Sequence, residues 1–521
     1  MNQVLTHRGP DGEGCHVKGA IGLGHRRLAV IDPSSAGHQP MESADGGAWI
    51  TYNGEIYNFR EIRDALQQHG HRFRSNSDTE VLLSAYREWG LGCLERCNGM
   101  FAFGLWDERL ERLWVARDRL GVKPLFYCKL PTCFVFASEI KAILCHPRVE
   151  RTLDLEALAY FLALNYTPAP HTLFKNIRQL LPGHYLVVGR DGHVQETEYW
   201  DLAYRKPEAR SRAAWVEGFA HLLEDSVRLR LVSDVPFGAF LSGGVDSSSV
   251  AYWMSRHLES PVKTFSIGFD HESYDELPHA RQVAHVIGAD HHEEIVTSDA
   301  AALLPKLVWH AEEPTADSSM VAMYQLAAMT RRFVTVALTG DGADEILAGY
   351  ETYRASHLHR LYRRLPRWLR DGLITPLVHR LPVSDAKLSL DFKLRRFVAA
   401  GELTWEDAHA TWRLIHDAAL RRRLLSPVWG RPGTDADAVD LYRAAFARTA
   451  GRRPLDRMLY VDTRLYLPND MLVKVDRMTM AHGLEAREPY LDYRLVEFAA
   501  QAPPELKLRW MYKGLFAESC G

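Results

Sequence analysis

The chain has 521 residues, 46% of them hydrophobic and 25% charged, with a formal net charge of -3. That length holds more than one core, and the near-neutral balance gives no electrostatic footprint for a nucleic-acid partner. The opening MNQVLTHRGPDGEG lacks the apolar stretch of a signal peptide, and no apolar run is long enough to span a bilayer. The expectation is a cytoplasmic protein with no membrane and no nucleic acid among its partners. Seven cysteines occur without a CxxC pair, which predicts reduced structural thiols rather than a zinc site.

Up to about residue 200, short strand patterns alternate with turn signals: GAIGLGHRRLAVID, GGAWITYNGEIYNF, MFAFGLWDERLERLWVARDRLG, LFYCKLPTCFVFAS and HYLVVGRDGHVQETEYW. Read locally, Asn53-Gly54 is a hairpin turn. FREIRDALQQHG and DTEVLLSAYREWG carry helical periodicity. Strands in runs with a few helices predict layered antiparallel sheets covered by helices. The polar, basic stretch from Asp201 to Trp215 reads as a linker. Beyond it the pattern changes. A helix near Ala214–Leu231 leads to a strand at Pro236–Leu241 and a helix from about Ser248. VKTFSIGF, ELPHARQVAHVIG, HHEEIVT, two helices and FVTVALTGDGADE follow. Such alternation predicts a doubly wound parallel sheet, and from Tyr350 the chain reads as mostly helical.

Two glycine-rich turns carry chemistry. In AFLSGGVDSSS an apolar strand ends at Leu241, and Gly243 and Gly244 let the backbone turn tightly against a ligand. A helix beginning there offers free N–H groups and a positive dipole end to an anion. Ser242, Ser247 and Ser248 add hydroxyls, and Asp246 is a hard-cation ligand. No Gly-Lys-Ser/Thr follows, so this is not a Walker loop, and it suits pyrophosphate as a leaving group. ALTGDGADE again ends a strand in a glycine turn, with Asp341, Asp344 and Glu345. In a parallel sheet both turns lie at the carboxyl edge and face one crevice.

These residues resemble the glutamine-hydrolysing asparagine synthetases. LSGGVDSS is similar to that family's pyrophosphate loop, TGDGADE to its second active-site turn, and LPNDMLVKVDRMTMAHGLEAREPYLD to a long family signature. HRGPDGEG, HRRLAVID, YNGEIYN, SDTEV, GMFAF, ARDRLGVKPL and ASEIKAI resemble the class II glutamine amidotransferase domain. The resemblance implies an Ntn-hydrolase-like αββα sandwich over residues 1–200, a linker over 201–215, and an α/β ATP-pyrophosphatase domain with a helical C-terminal region over 216–521. It implies ATP and Mg²⁺, with aspartate adenylated on its side chain and then attacked by ammonia.

The resemblance also implies roles for residues. Leu241 and Ile267 would contact adenine or ribose. Ser242, Gly243, Gly244, Asp246, Ser247 and Ser248 would hold pyrophosphate, with Asp246 and Asp341 on the metal. Thr339, Gly340 and Asp341 match a nucleotide contact and a catalytic acidic residue. Lys513 would stabilise charge on the intermediate, although Gly514 and Ala517 depart from the pattern there. Arg27 matches the clamp on glutamine's α-carboxylate, Asn53 and Gly54 the oxyanion hole, and Glu55 and Asp78 acceptors for its amino group. The family's nucleophile is an N-terminal cysteine, whereas this chain starts at MNQVLTHRGP, with Cys15 beyond the HRGPDG turn. The expectation is therefore a sequence cut at both ends whose glutaminase half is inactive. Two alternatives stay open. One is a relative that adenylates another carboxylate, as surface-polysaccharide amidotransferases and cyclising synthetases do. The other is a non-catalytic nucleotide-binding product. A homodimer is a further expectation. Arg354–Leu381 is basic and partly amphipathic. It reads as a helical insertion with a buried leucine stripe, the alternative being contact with a membrane surface or an acidic partner.

Overall fold

The computed structural model describes residues 1–204, 209–269, 276–296, 300–382, 389–416, 418–424 and 437–508. The first half is built from β1 (Gly12–Lys18), β2 (Ile21–Arg27), β3 (Met41–Glu42), β4 (Ala48–Ile56), β5 (Gly99–Asp107), β6 (Arg112–Arg117), β7 (Phe126–Lys129), β8 (Phe134–Ala137), β9 (Arg178–Gln179), β10 (His184–Gly189) and β11 (Val194–Glu198). A six-stranded antiparallel sheet runs β11-β10-β6-β5-β4-β3, beside a three-stranded sheet β8-β7-β9 and the hairpin β1-β2.

Side-chain alternation along the strands sorts the layers. Phe103, Leu105, Trp114 and Ala116 point one way and share a core with Ile62 and Leu66 of α1 (Phe59–Gln68) and with Val81 and Leu82 of α2 (Asp78–Trp89). Ala102, Leu113, Val115, Leu186 and Val188 point the other way, onto Phe134 and Phe136 of β8 and onto Leu125 and Leu180, which flank β7 and β9. The result is a layered antiparallel sandwich with helices on its outer face.

The second half holds a five-stranded parallel sheet, ordered β14-β13-β12-β15-β16. Its strands are β12 (Phe237–Phe240), β13 (Lys263–Phe269), β14 (Asp290–Val296), β15 (Val336–Leu338) and β16 (Glu485–Arg487). Helices Val245–His257, Leu277–Ile287 and Ser319–Thr330 connect or cover them, and the remainder is largely helical. This is a doubly wound α/β domain.

Two local expectations need correction. Asn53-Gly54 is not a hairpin turn. It lies within β4, where Asn53 faces Ala102 and Gly54 faces Phe101 across the ladder. Nine residues of pairing with β5 override the local turn preference of the dipeptide. The helix after the serine loop starts at Val245, ahead of the expected Ser248, because Gly244 in extended backbone (φ -71, ψ 154) already serves as its N-cap. Asp246 and Ser247 therefore sit in its first turn.

The halves are joined by a buried ion network. Arg8 is bidentate to Asp476 (2.7 and 2.9 Å) and reaches Glu139 at 3.1 Å. Arg477 bridges Glu139 at 2.9 Å and Glu312 at 2.8 Å. Glu312 also accepts the Ile140 and Lys141 amides at 2.8 and 2.6 Å. Burial alone would raise the Glu139 carboxyl, but Arg477, His7, Arg8 and Lys141 hold it well below the usual carboxylate range.

Candidate functional site

At the end of β12 the chain leaves the sheet and turns. Leu241 N–H donates to Phe265 O at 2.8 Å, which keeps the strand in register up to the turn. Gly243 then takes φ +74, where a Cβ would press on the backbone N of Ala280 at 2.6 Å. Ser242 N–H donates to Ser247 Oγ at 3.1 Å, the two hydroxyls are 2.9 Å apart, and Gly244 N–H donates to Ser242 Oγ at 3.3 Å. The turn is thus closed on its own hydroxyls, at the N-terminus of a 13-residue helix.

The second turn abuts the first. β12 and β15 pair in parallel, Ala239 opposite Leu338, so both strands end on one edge. A Cβ on Gly340 would stand 2.9 Å from Ser247 N and 3.1 Å from Asp246 Cβ. The structure thus sets the Ser242–Ser248 turn, with Gly243, Gly244, Asp246 and Ser247, beside the turn of Thr339, Gly340 and Asp341 on one sheet edge. Asp341 N–H donates to Thr339 Oγ1 at 3.2 Å. Burial raises the Asp341 carboxyl, with Lys474 acting against that shift. Leu241 is different: its side chain is 1% exposed, inside the main core. Ile267 is partly buried against the cluster of Phe240 and Phe265. Lys513 lies outside the described residues.

Lys474 was not singled out from the sequence. It lies on the helix Leu472–Met480, is 8% exposed, and pairs with Asp317 at 3.1 Å. Burial opposes its charge, but Asp317 and Asp341 outweigh that and raise it. The available signal was a lysine set among Leu472, Val473 and Val475, a place where a cation needs partners.

The first half holds an open cavity of about 720 Å³ lined by Arg27, Asn53, Gly54, Glu55 and Asp78, and also by Cys15. Arg27 is fixed by donating to Ser34 O at 2.9 Å, Ile31 O at 3.3 Å and the Asp32 carbonyl. A guanidinium held this way is preorganised for a carboxylate. Asn53 Nδ2 donates to Ser138 Oγ at 3.4 Å. Asp78 Oδ2 accepts from Tyr52 OH and Ile56 N–H, both at 2.9 Å, and burial lifts its carboxyl to about 6. Gly54 sits at φ +148, where a Cβ would meet the Met100 carbonyl and the Phe101 Cα at 2.7 Å. We predict that Gly54→Ala lowers stability by about 2–4 kcal/mol, from backbone strain plus overpacking. An unchanged urea midpoint would rule this geometry out.

The cavity reaches the second domain, since Met480 and Glu485 line it together with Lys123. Glu55 approaches Arg487 at 3.5 Å, and Arg487 binds Glu485 at 2.8 Å. Burial beside Glu485 and Asp78 raises the Glu55 carboxyl well above its usual range. Next in the chain, Glu488 is pushed up to about 8 by burial, with Lys123 opposing. An acid whose folded pKa exceeds its unfolded value binds its proton more tightly when folded. It favours folding at low pH, and that contribution is lost as pH rises from about 4.5 through about 8. Glu488→Gln should therefore flatten the pH dependence and gain roughly 2 kcal/mol over the parent by about pH 9. Parallel melting curves across that range check it, and equal slopes would refute it.

Residues 218–520 match the asparagine synthase family, and residues 1–200 match the glutamine amidotransferase domain family. Asparagine synthetase [glutamine-hydrolyzing] 1 of Bacillus subtilis is 33% identical over 98% of this chain and 78% of its own length. The chain belongs to the glutamine-hydrolysing asparagine synthetase family. Asparagine synthetase [glutamine-hydrolyzing] 3 of the same organism is 32% identical over the same shares of both chains. So is a relative named amidase chyE, from Penicillium rubens. Members of this synthetase family carry out ATP-dependent amidation with glutamine, and this chain carries the two corresponding domains.

Proposed function

We propose that the chain converts aspartate, ATP and glutamine or ammonia to asparagine, AMP and pyrophosphate, through a β-aspartyl-AMP intermediate. The observation that carries this reading is the contact of the two glycine turns, which joins a helix N-terminus, serine hydroxyls, Asp246 and Asp341 on one sheet edge. A carboxylate is a poor electrophile. Attack of its oxygen on the α-phosphorus of ATP breaks the bond to the β-phosphate and makes AMP the later leaving group. The Ser242–Ser248 turn holds the departing pyrophosphate with amides and hydroxyls.

Mg²⁺ fits this donor set: two hard carboxylates from adjoining turns suffice when ATP phosphates and water supply the other ligands. Asp246 and Asp341 would hold it, and when bound it neutralises phosphate charge. Lys474 and Asp317 border the second turn and suit the oppositely charged ends of an amino-acid acceptor. In the amidotransferase half, Arg27 takes glutamine's α-carboxylate, Glu55 and Asp78 face its amino group, and Asn53 with the Gly54 amide stabilises the oxyanion. No residue is assigned as the nucleophile that would free ammonia from glutamine; ammonia, from glutamine or from solution, would reach the second domain by the cavity that Lys123, Met480 and Glu485 line. The protein requires no membrane or nucleic acid for this chemistry and works on small molecules.

The test is pyrophosphate release with ammonium and a panel of carboxylates. We expect aspartate to be preferred by at least about ten-fold, about 1.4 kcal/mol in transition-state binding. An equal response to other acids would transfer the reading to another acceptor. No pyrophosphate with any acid would end it.

A further inference from the structure

We infer that the helical excursion of residues 351–382 and 389–399 carries a docking face for an anionic lipid surface. Between Thr352 and Leu381 the sequence holds seven arginines (354, 360, 363, 364, 367, 370 and 380) against one carboxylate, Asp371. The helix Glu351–Tyr362, the turns Arg367–Leu369 and Arg370–Ile374, and the helices Thr375–His379 and Leu390–Ala399 fold together. Tyr362, Val378 and Val398 form their common core, with Ile374, Leu394 and Phe397 packed on it.

The expected buried leucine stripe is absent. Leu358, Leu361, Leu365, Leu373 and Leu377 are exposed, Leu390 is 69% exposed and Trp368 is 72% exposed. The small core is filled by Tyr362, Val378 and Val398 with Ile374, Leu394 and Phe397, and these exposed leucines lie outside it. Leu358 and Leu361, three apart on the helix Glu351–Tyr362, share a face, and Leu365 and Trp368 follow in the turns just beyond it.

Arg354 is half-buried, and the other six arginines divide into two groups. Arg367 and Arg370 are tied to Glu402, at 2.9 and 2.6 Å. Arg360, Arg363 and Arg364 interleave with these leucines and are exposed, as is Arg380. Among the described residues, no carboxylate forms an ion pair with these four.

Exposed leucine and tryptophan interleaved with unneutralised arginine is the composition of an interfacial helix, with an apolar face for the acyl boundary and guanidinium groups for lipid phosphates. Nucleic acid would use the arginines but would leave the leucines in water. Charge complementarity thus selects an anionic bilayer surface, met from one side. No described helix is long and apolar enough to cross a membrane.

The full chain is sedimented with vesicles of phosphatidylcholine alone and of phosphatidylcholine mixed with phosphatidylglycerol. Binding should occur only with the anionic vesicles and should fall at high salt. Arg363→Gln and Arg364→Gln should each weaken partitioning about five-fold, the equivalent of one basic side chain near a charged surface. Leu361→Ser with Trp368→Ser should abolish it, with pyrophosphate release unchanged as evidence that the fold is intact. Absence of binding to anionic vesicles, or binding that survives the Leu361/Trp368 double substitution, would overturn the inference. So would a parent that self-associates in sedimentation velocity through these residues and binds no vesicles, which would assign the face to a second copy of the chain.

Discussion

Asp246→Ala is expected to lower pyrophosphate release by at least about a thousand-fold, or 4 kcal/mol and more, while leaving the melting temperature nearly unchanged. Asp246 lies in the first turn of the helix that follows the serine loop, and Gly340 of the second turn packs against its Cβ. Asp246 is half-buried with Oδ1 shielded from solvent, but it stands outside the hydrophobic clusters, so little apolar packing depends on it. Its removal takes away a ligand for the cation that screens the leaving phosphates, whose charge grows in the transition state. The loss should therefore fall on kcat rather than on KM alone. Asp246→Asn tests the same point with shape retained, and should be impaired nearly as much. Activity within ten-fold of the parent in both variants would remove Asp246 from the proposed site.

The second large effect is structural. Arg477→Met should cost about 3–5 kcal/mol, the range found when one partner of a buried ion pair is deleted. Arg477 is 3% exposed and bridges Glu139 of the first domain to Glu312 of the second. Without it Glu312 retains two backbone amides and Lys141 at 3.6 Å, and Glu139 retains Arg8, Lys141 and His7. The cost is thus partial charge compensation, not outright collapse. Neutralising Glu312 as well, in Arg477→Met/Glu312→Gln, should recover part of the loss, because a carboxylate left buried without its cation is what destabilises. The pH sign is opposite to that of Glu488. Glu139 is depressed when folded, so the stability it contributes is present above its unfolded value and is lost as pH falls toward its folded one. Calorimetric melting near neutral pH measures both variants. A double substitution no better than the single would show that the guanidinium acts through packing alone.

What could be read from the sequence was local. The two glycine turns are contiguous motifs whose geometry is set by a strand end, a tight turn and a helix start, and all three leave marks within a dozen residues. Parallel pairing then places both turns on one edge. Strand β16 left no such mark. Glu485-Ala486-Arg487 is short, charged and fully buried, and it is a strand because it pairs with β15. Arg8 and Asp476 are 468 positions apart, so no window holds both. Lys474 was hidden for the same reason, since Asp317 and Asp341 come from other elements. Asn53-Gly54 shows the converse error. A strong local turn signal is overruled by strand pairing, and the glycine is required by the approach of Met100 and Phe101 rather than by a turn. The leucines of the basic excursion were misassigned because amphipathic spacing reveals an apolar face but not what covers it.

On the proposed reading, the two glycine turns join the acceptor's carboxylate to the α-phosphate of ATP. The most direct measurement is oxygen transfer from aspartate labelled with ¹⁸O in its side-chain carboxylate, incubated with ATP, Mg²⁺ and ammonium. Adenylation should give asparagine with one labelled oxygen lost and AMP that has gained it, in equal amounts, with pyrophosphate as the other product. Formation of ADP, or of AMP without the label, would contradict it.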